Sequence, residues 1–368
     1  MLYDCAIAGG GLAGLSSSIL LAQQGYKVIL FEQKSYPFHK VCGEYISMES
    51  YPFLIRLGLD PEKENFPKIK TVNISAPDGS VISQHLDLGG FGVSRFKLER
   101  DLAELSKANG VELLENNKVQ NISFQDEIFT IRSSSGIFQA KTCIGSFGKY
   151  GLNSRDKKPH ADNYIGVKYH IRNDSVKGDV ISLHNFKDGY CGISEIEDGK
   201  KCLCYLTTAH NLKDHHNSIE GMEHSVLYKN PYLKDIFSHS TFLFDKPVVI
   251  SNITFEAKKA VVDHVLMAGD AAGAIAPLCG NGMSMAFRSA NILSELIHLF
   301  LKGNISRNEM NEKYERSWNK QFGRRIKAGY FLQKLFGKNQ LTNFSIRFLK
   351  LFPGLTKKII KLTHGDVF

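Results

Sequence analysis

No apolar run in this 368-residue sequence approaches the roughly 18–20 residues that a membrane-spanning helix requires, so a transmembrane architecture is not expected. The stretch 5–21 is apolar and small enough to be mistaken for a secretory leader. Yet no basic segment precedes it, and Asp4 stands at its edge. Cysteine is sparse and scattered, with seven residues at positions 5, 42, 143, 191, 202, 204 and 279, an odd number that builds no disulfide framework. There is no CxxC pair and no His/Cys cluster at zinc spacing. No metal site is predicted, and a reducing, cytoplasmic setting follows. Cys202 and Cys204 lie two apart in an apolar run, which points both to the same side of a strand and favours core packing. Acid is nearly missing from the last part of the chain: from Lys320 onward eleven basic residues meet one acid, Asp366. That segment sums to +10, so 1–319 sum to −1 and the net charge of +9 belongs to the tail.

What is present begins with composition. Hydrophobic residues at 43% and charged residues at 23% exclude wholesale disorder. The length leaves room for a large domain, or two intertwined ones, with a buried ligand cleft.

Residues 3–8 (YDCAIA) read as a short buried strand, and Gly9-Gly10-Gly11-Leu12-Ala13-Gly14 follows at once. Residues 15–25 then have helical apolar spacing, and 27–31 (KVILF) form a second buried strand ending at Glu32 and Gln33. In such a strand-turn-helix-strand unit Gly9 permits the tight turn, and Gly11 lets the backbone approach a pyrophosphate. Gly14 allows close helix–strand packing. Phosphates then sit at the positive helix end, and the Glu32 carboxylate lies where it can accept hydrogen bonds from a ribose diol. The unit predicts a bound dinucleotide without distinguishing NAD from FAD.

A second glycine-rich segment separates the two. Residues 261–268 (VVDHVLMA) read as a buried strand, followed by Gly269-Asp270-Ala271-Ala272-Gly273, then Pro277, Gly280, Asn281, Gly282 and a helix from about Met283 to Leu301. This pattern resembles the second flavin-binding motif of the para-hydroxybenzoate hydroxylase superfamily of FAD-dependent oxidoreductases. The resemblance covers most of the chain to about residue 300. It implies that Asp270 binds the ribityl chain and that the helix start faces the pyrimidine side of the isoalloxazine. There the helix dipole and free N–H groups favour the charge a reduced flavin gathers. It also implies that the loop His39-Lys40-Val41-Cys42-Gly43-Glu44 approaches the flavin, that Arg95 opens a helix near the cofactor, and that the backbone of Val119 meets the adenine. Cys42 is the candidate for catalysis, as a proton donor or as a shaper of the pocket, against the alternative of a structural thiol. Lys40 is either a neutraliser of phosphate or reduced flavin, or an exposed lysine.

Within the superfamily, Lys40-Val41-Cys42-Gly43 and the GDAAG segment with its downstream proline and glycines resemble the geranylgeranyl reductase-like branch. Many aromatic hydroxylases have histidine where Gly273 stands here, and an Asp-Gly motif midway. The corresponding stretch is Ile144-Gly145-Ser146-Phe147-Gly148, without the aspartate, so NAD(P)H stays open as the electron donor beside a ferredoxin or another reductase. The stretch 162–208 alternates apolar and polar residues, with turn signals at Lys187-Asp188-Gly189 and Glu197-Asp198-Gly199. Such a sheet is expected to roof the flavin.

The predicted fold is α/β: a Rossmann-like FAD-binding domain with an inserted antiparallel-sheet substrate domain and a C-terminal helical tail. The expected division is 1–75, 95–155 and 255–305 for the flavin domain, 76–94 and 156–254 for the substrate sheet, and 306–368 for the basic helical region. The expected activity is flavin-mediated reduction of a bulky apolar substrate such as an isoprenoid, lipid or polyketide. The alternatives are NAD(P)H-dependent hydroxylation of an aromatic or polyketide substrate and a non-catalytic flavin sensor. In the tail Leu341, Phe344, Phe348 and Phe352 recur at helical spacing among Arg347 and Lys350, up to Pro353-Gly354. Two readings compete for it: packing on the domain, or peripheral contact with an anionic bilayer. Nucleic acid is not expected as a partner, because no recognised motif accompanies the charge.

Overall fold

The computed structural model describes residues 1–149, 151–152, 163–253 and 258–368, so the boundaries expected at 155–156 and 254–255 lie outside the described residues. The helices in chain order are α1 (Leu12–Gln23), α2 (Tyr51–Leu57), α3 (Arg95–Ala108), α4 (Ala209–Asp214), α5 (Ile219–Val226), α6 (Pro231–Ser238), α7 (Gly282–Leu301), α8 (Arg307–Trp318), α9 (Arg324–Leu335), α10 (Asn339–Leu351) and α11 (Pro353–Thr363). Among the described residues no helix is long and apolar enough to cross a membrane.

From Cys5 on, the strand Leu2–Ala8 is apolar and buried on both faces, as is Val28–Phe31, because both faces are covered, as parallel strands require. They pair in parallel with Ala8 opposite Phe31. Gly136–Gly145 joins the other side with Gly145 opposite Ala8, and Val265–Met267 follows with Met267 opposite Gly145. Four strands therefore end at one edge of this first sheet. The segments after those ends, at Gly9, Glu32, Ser146 and Ala268, converge on the crevice where an open α/β sheet takes its ligand. Helices α1, α3 and α7 cover the sheet, and Leu15, Ile19, Leu98, Leu102 and Phe287 are buried in its core.

The second sheet contains the expected antiparallel strands Tyr164–Arg172, Val180–Phe186, Gly189–Glu195 and Lys201–Thr208. Asp188 and Asp198 turn the hairpins at φ 59° and 62°, conformations that Asp tolerates. Two expectations need correction. Lys68–Ser75, grouped above with the flavin domain, pairs in parallel with Val180–Phe186, and Tyr45–Ser47 pairs with Val81–Gly92. The second sheet thus begins at Tyr45, because alternating strands say which residues face a core but not which sheet they join. The single strand read over 261–268 is a hairpin. Asp263 and His264 turn it at positive φ, and only Val265–Met267 enters the parallel sheet.

The C-terminal region does not stand apart. In α9, the Tyr330 hydroxyl donates to the Ala274 carbonyl at 2.9 Å, and a side-chain carbon on Gly329 would touch Cys279 Sγ at 3.0 Å. In α10, Ile346 is buried with Ala76 and Ile82 of the second sheet. The Phe368 amide donates to Glu49 O at 3.1 Å.

Candidate active site

The turn after the first strand has three separate steric requirements. Gly9 has φ +108°, and a Cβ there would stand 2.5 Å from Ser146 O. A Cβ on Gly14 would stand 2.1 Å from Gly9 O, so this residue lets α1 meet the strand end. On Gly11 a Cβ would meet nothing nearer than Lys40 Nζ at 3.9 Å, which leaves that backbone open to an approaching group. Gly10, not singled out from the sequence, is constrained as well. Its Cβ would fall 1.9 Å from the Tyr36 hydroxyl, which donates to Gly10 O at 2.5 Å. The Glu32 carboxylate is buried and accepts from Gly10 N at 2.9 Å and Lys34 N at 3.0 Å, which ties the second strand's end to the turn. Gln33 points outward and is exposed. Val119 is buried at the start of its strand, beside Asn117, whose amide donates to Glu32 O at 2.7 Å.

The loop 39–44 is held from below by the second sheet. Lys168 Nζ donates to Lys40 O at 3.1 Å, the Cys202 thiol to Cys42 O at 3.2 Å, and Ser194 Oγ to Gly43 O at 3.1 Å. Glu44 is fully buried at φ 55°. Its carboxylate receives Lys168 Nζ at 2.5 Å, His170 Nε2 at 2.7 Å and the Arg95 amide at 2.8 Å. Burial opposes its ionisation, but Lys168 and His170 outweigh that and lower its pKa to about 2. Lys168 is raised in turn, its burial outweighed by Glu44. Glu44, His170 and Cys202 offer ligand atoms within 4.8 Å of one another, yet the Lys168 ammonium already takes the cation's place on the carboxylate. Neighbouring His39 is driven down to about 4 by burial and by Lys168, which keeps it neutral.

With its backbone so anchored, the loop leaves Cys42 half-buried. Burial opposes the Arg95 charge, but Glu99 and Cys42 raise its pKa. Glu99, itself buried, pairs with both Arg95 and Lys40, the latter at 2.9 Å. A chain of charge therefore runs from Gly11 through Lys40, Glu99 and Arg95 to Cys42. Lys40 is ion-paired to Glu99, and its Nζ also stands over the open face of the glycine turn, where a phosphate would approach.

The second glycine segment closes the crevice. Gly269, at φ +57°, sits against α1, where its Cβ would lie 3.4 Å from that of Ala13. Asp270 is exposed, and its carbonyl accepts from Lys258 at 2.8 Å. Lys149 is lowered to about 8 by burial, an effect that the attraction of Asp270 only partly offsets. Pro277 opens a short 3-10 turn that ends at Gly280, φ +63°, against the Tyr45 ring. The Asn281 amide donates to Glu49 Oε1 at 3.0 Å, and its Oδ1 is buried without a partner. Gly282 starts α7. Leu12, Ala13 and Met283 turn their side chains into the core, so any contact they make with a ligand is through backbone.

A dinucleotide fits these residues on observations internal to the structure. Both α1 and α7 begin without a side-chain cap, and both starts lie at the two glycine segments that line the crevice. The uncapped ends leave N–H groups for an anion or a polar ring edge. Arg95 Nε is buried without a partner within the same crevice.

Glu99, Lys168 and His170 were missed from the sequence, and Glu44 was named only as the last residue of the loop, without its buried ion pair. Alternation along Tyr164–Arg172 puts Lys168 and His170 on one face of a strand whose other residues are mostly apolar, and that was the available signal. In the second sheet, His184 is buried against Ser75 Oγ at 2.8 Å and burial lowers it to about 4.

Residues 7–41 match the family model of the NAD(P)-binding Rossmann-like domain. Conditioned medium factor receptor 1 of Dictyostelium discoideum is 24% identical over 88% of this chain and 68% of its own length. Digeranylgeranylglycerophospholipid reductase of Methanococcus vannielii is 22% identical over 86% of this chain and 82% of its own length. Among solved structures, the flavin-dependent brominase Bmp2 superposes with a TM-score of 0.81 at 18% identity, covering 100% of this chain and 94% of that one. The Rossmann-like fold with its second sheet is the one this chain shares with that brominase structure.

Proposed function

We propose, from a chain whose fold and sequence relatives are those of FAD-dependent oxidoreductases, that it reduces a carbon–carbon double bond of a bulky apolar, isoprenoid-type lipid. Bound FAD, once reduced by an external electron donor, would supply the hydride. Gly9, Gly11 and Gly14 with the start of α1 would hold the pyrophosphate, Glu32 the ribose, and Asp270 with the start of α7 the ribityl chain and pyrimidine edge. The observation that carries the reductive reading is the anchored loop: its backbone is pinned by Lys168, Cys202 and Ser194, its last carboxylate, Glu44, is held by Lys168, and Cys42 is left half-buried beside Arg95.

Saturating a double bond needs one hydride and one proton. A thiol held at a fixed place can deliver the proton to the second carbon and recover it from solvent. Arg95 balances the charge left on sulfur during transfer, and Glu99 holds Arg95 in position. The similarity to a digeranylgeranylglycerophospholipid reductase supports the same substrate class.

The test uses FAD-loaded protein reduced without oxygen and mixed with a geranylgeranyl lipid. Reoxidation of the flavin with a product two hydrogens heavier is expected. Cys42→Ala should slow that step by about 100-fold or more while flavin content stays unchanged. A product that gains an oxygen atom, and forms only in air, would overturn reduction in favour of monooxygenation. No substrate-dependent reoxidation with any lipid would favour a sensor.

A further inference from the structure

Helix α10 is apolar on two opposite faces, and the fold uses only one. Thr342 and Ile346 are buried against the second sheet. At 100° per residue, Leu341, Phe344, Phe348 and Leu351 fall together on the other side. Phe344 is 68% exposed and Leu351 75% exposed, values expected of lysines on a solvated helix. The apolar strip continues past the helix end through Phe352 and Leu355, both exposed. Ring contacts join Phe344 to Phe348 at 6.2 Å and Phe348 to Phe352 at 4.8 Å, so the strip is one continuous surface. Solvated helix faces are polar, and a contiguous apolar strip of this kind marks a contact surface.

Charge identifies the occupant. Lys338, Lys350, Lys358 and Lys361 are exposed on the same two helices and the turn before them, in a segment whose net charge from Lys320 onward is +10. Two basic residues, Arg347 and Lys357, bridge to Asp78 and Asp87 at 2.7 and 2.9 Å and fasten the helices to the second sheet. Their anchoring leaves the outer face presented at a fixed attitude. A second copy of the chain would bring a like charge against this one, and a nucleic acid would have no use for six exposed apolar side chains. A bilayer with anionic headgroups meets both features at once, taking the aromatic strip into its acyl boundary and the lysines at its headgroups.

We infer that α10 and α11 form a docking surface for an anionic lipid bilayer. The full chain, loaded with FAD, is sedimented with vesicles of phosphatidylcholine alone or with an equal part of phosphatidylglycerol. Binding to the mixed vesicles at low salt should exceed binding to the neutral ones by about 10-fold or more, and should weaken as salt is raised. The triple variant F344S/F348S/L351S should lose about 10-fold or more on mixed vesicles, and K350E/K358E/K361E should lose the preference for them. Every one of these side chains is exposed, so flavin content and circular dichroism should match the parent. Absence of binding to mixed vesicles overturns the inference, as does binding that the apolar triple variant retains. A concentration-dependent dimer that the same variant abolishes, with no vesicle binding, assigns the strip to self-association instead. Docking is independent of whether the flavin chemistry is reduction or oxygenation, so the two proposals fail separately.

Discussion

At the scale of single residues, two buried glutamates show how neighbours set the sign of a pH effect. Glu44 is ionised by Lys168 and His170, and its pKa is lowered from 4.5 to about 2. Its folded pKa lies below the unfolded one, so its contribution is fully present above the unfolded value. That contribution is lost as pH falls through about 2. Glu44→Gln should remove this acid-side dependence and, by leaving Lys168 buried without a counter-charge, cost about 3–5 kcal/mol in urea unfolding at neutral pH. A loss below about 1 kcal/mol would mean the cluster is not the loop's anchor. Glu223 has the opposite sign. Burial raises it from 4.5 to about 7, despite hydrogen bonds from Tyr205 and Tyr169 at 2.8 and 3.0 Å that favour the carboxylate. Its folded pKa lies above the unfolded one, so folding is favoured at acid pH and loses stability as pH rises through the range from 4.5 to about 7. Glu223→Gln should therefore gain roughly 1–3 kcal/mol at pH above this range and flatten the slope. Destabilisation at that pH would contradict the assignment.

At the scale of elements, α10 and the glycine turn respond differently to small changes. Ile346 is fully buried and is the main apolar tie between α10 and the second sheet. Ile346→Ala should cost about 2–4 kcal/mol. Because α10 is attached at one face, that cost should appear as faster amide exchange across 339–351, by about 30-fold or more, with α1 unaffected. Equal acceleration in both helices would mean that the tail and the first sheet unfold as one unit. In the turn, Gly14→Ala puts a carbon 2.1 Å from a backbone oxygen that cannot move without lifting α1 off its strand. The expected result is folded protein in low yield without flavin absorbance; full flavin content would refute the close approach.

At the scale of the whole molecule, the two sheets are joined at the crevice rather than through a linker. The loop 39–44 leaves the first sheet and is bonded to the second, and Glu49 receives Asn281 and the amide of Gly365. A ligand seated at the glycine segments would touch pieces contributed from across the chain. Stripping FAD should therefore lower the melting temperature by about 5–10 °C, reversibly on adding it back. A melting temperature indifferent to FAD would argue against a cofactor at this interface.

Much of the first sheet and its turn was legible in the sequence because those constraints are local. Positive φ at Gly9 and Gly269, close packing at Gly14, a two-sided apolar strand and the turns at Asp188 and Asp198 each depend on a few adjacent residues. The sequence by itself therefore determined the glycine turn and the two strands and the helix that flank it. It did not contain the grouping of Tyr45–Ser47 and Lys68–Ser75 with the second sheet, the hairpin at Asp263-His264, or the Glu44–Lys168–His170 cluster. Glu44 and His170 are 126 residues apart, and neither has a neighbour in the chain that explains its burial. A charge can be buried only where a partner is carried to it, and strand pairing between distant segments does that carrying. The same holds for α10, whose two apolar faces look alike in sequence until packing covers Ile346 and leaves Phe344 outside.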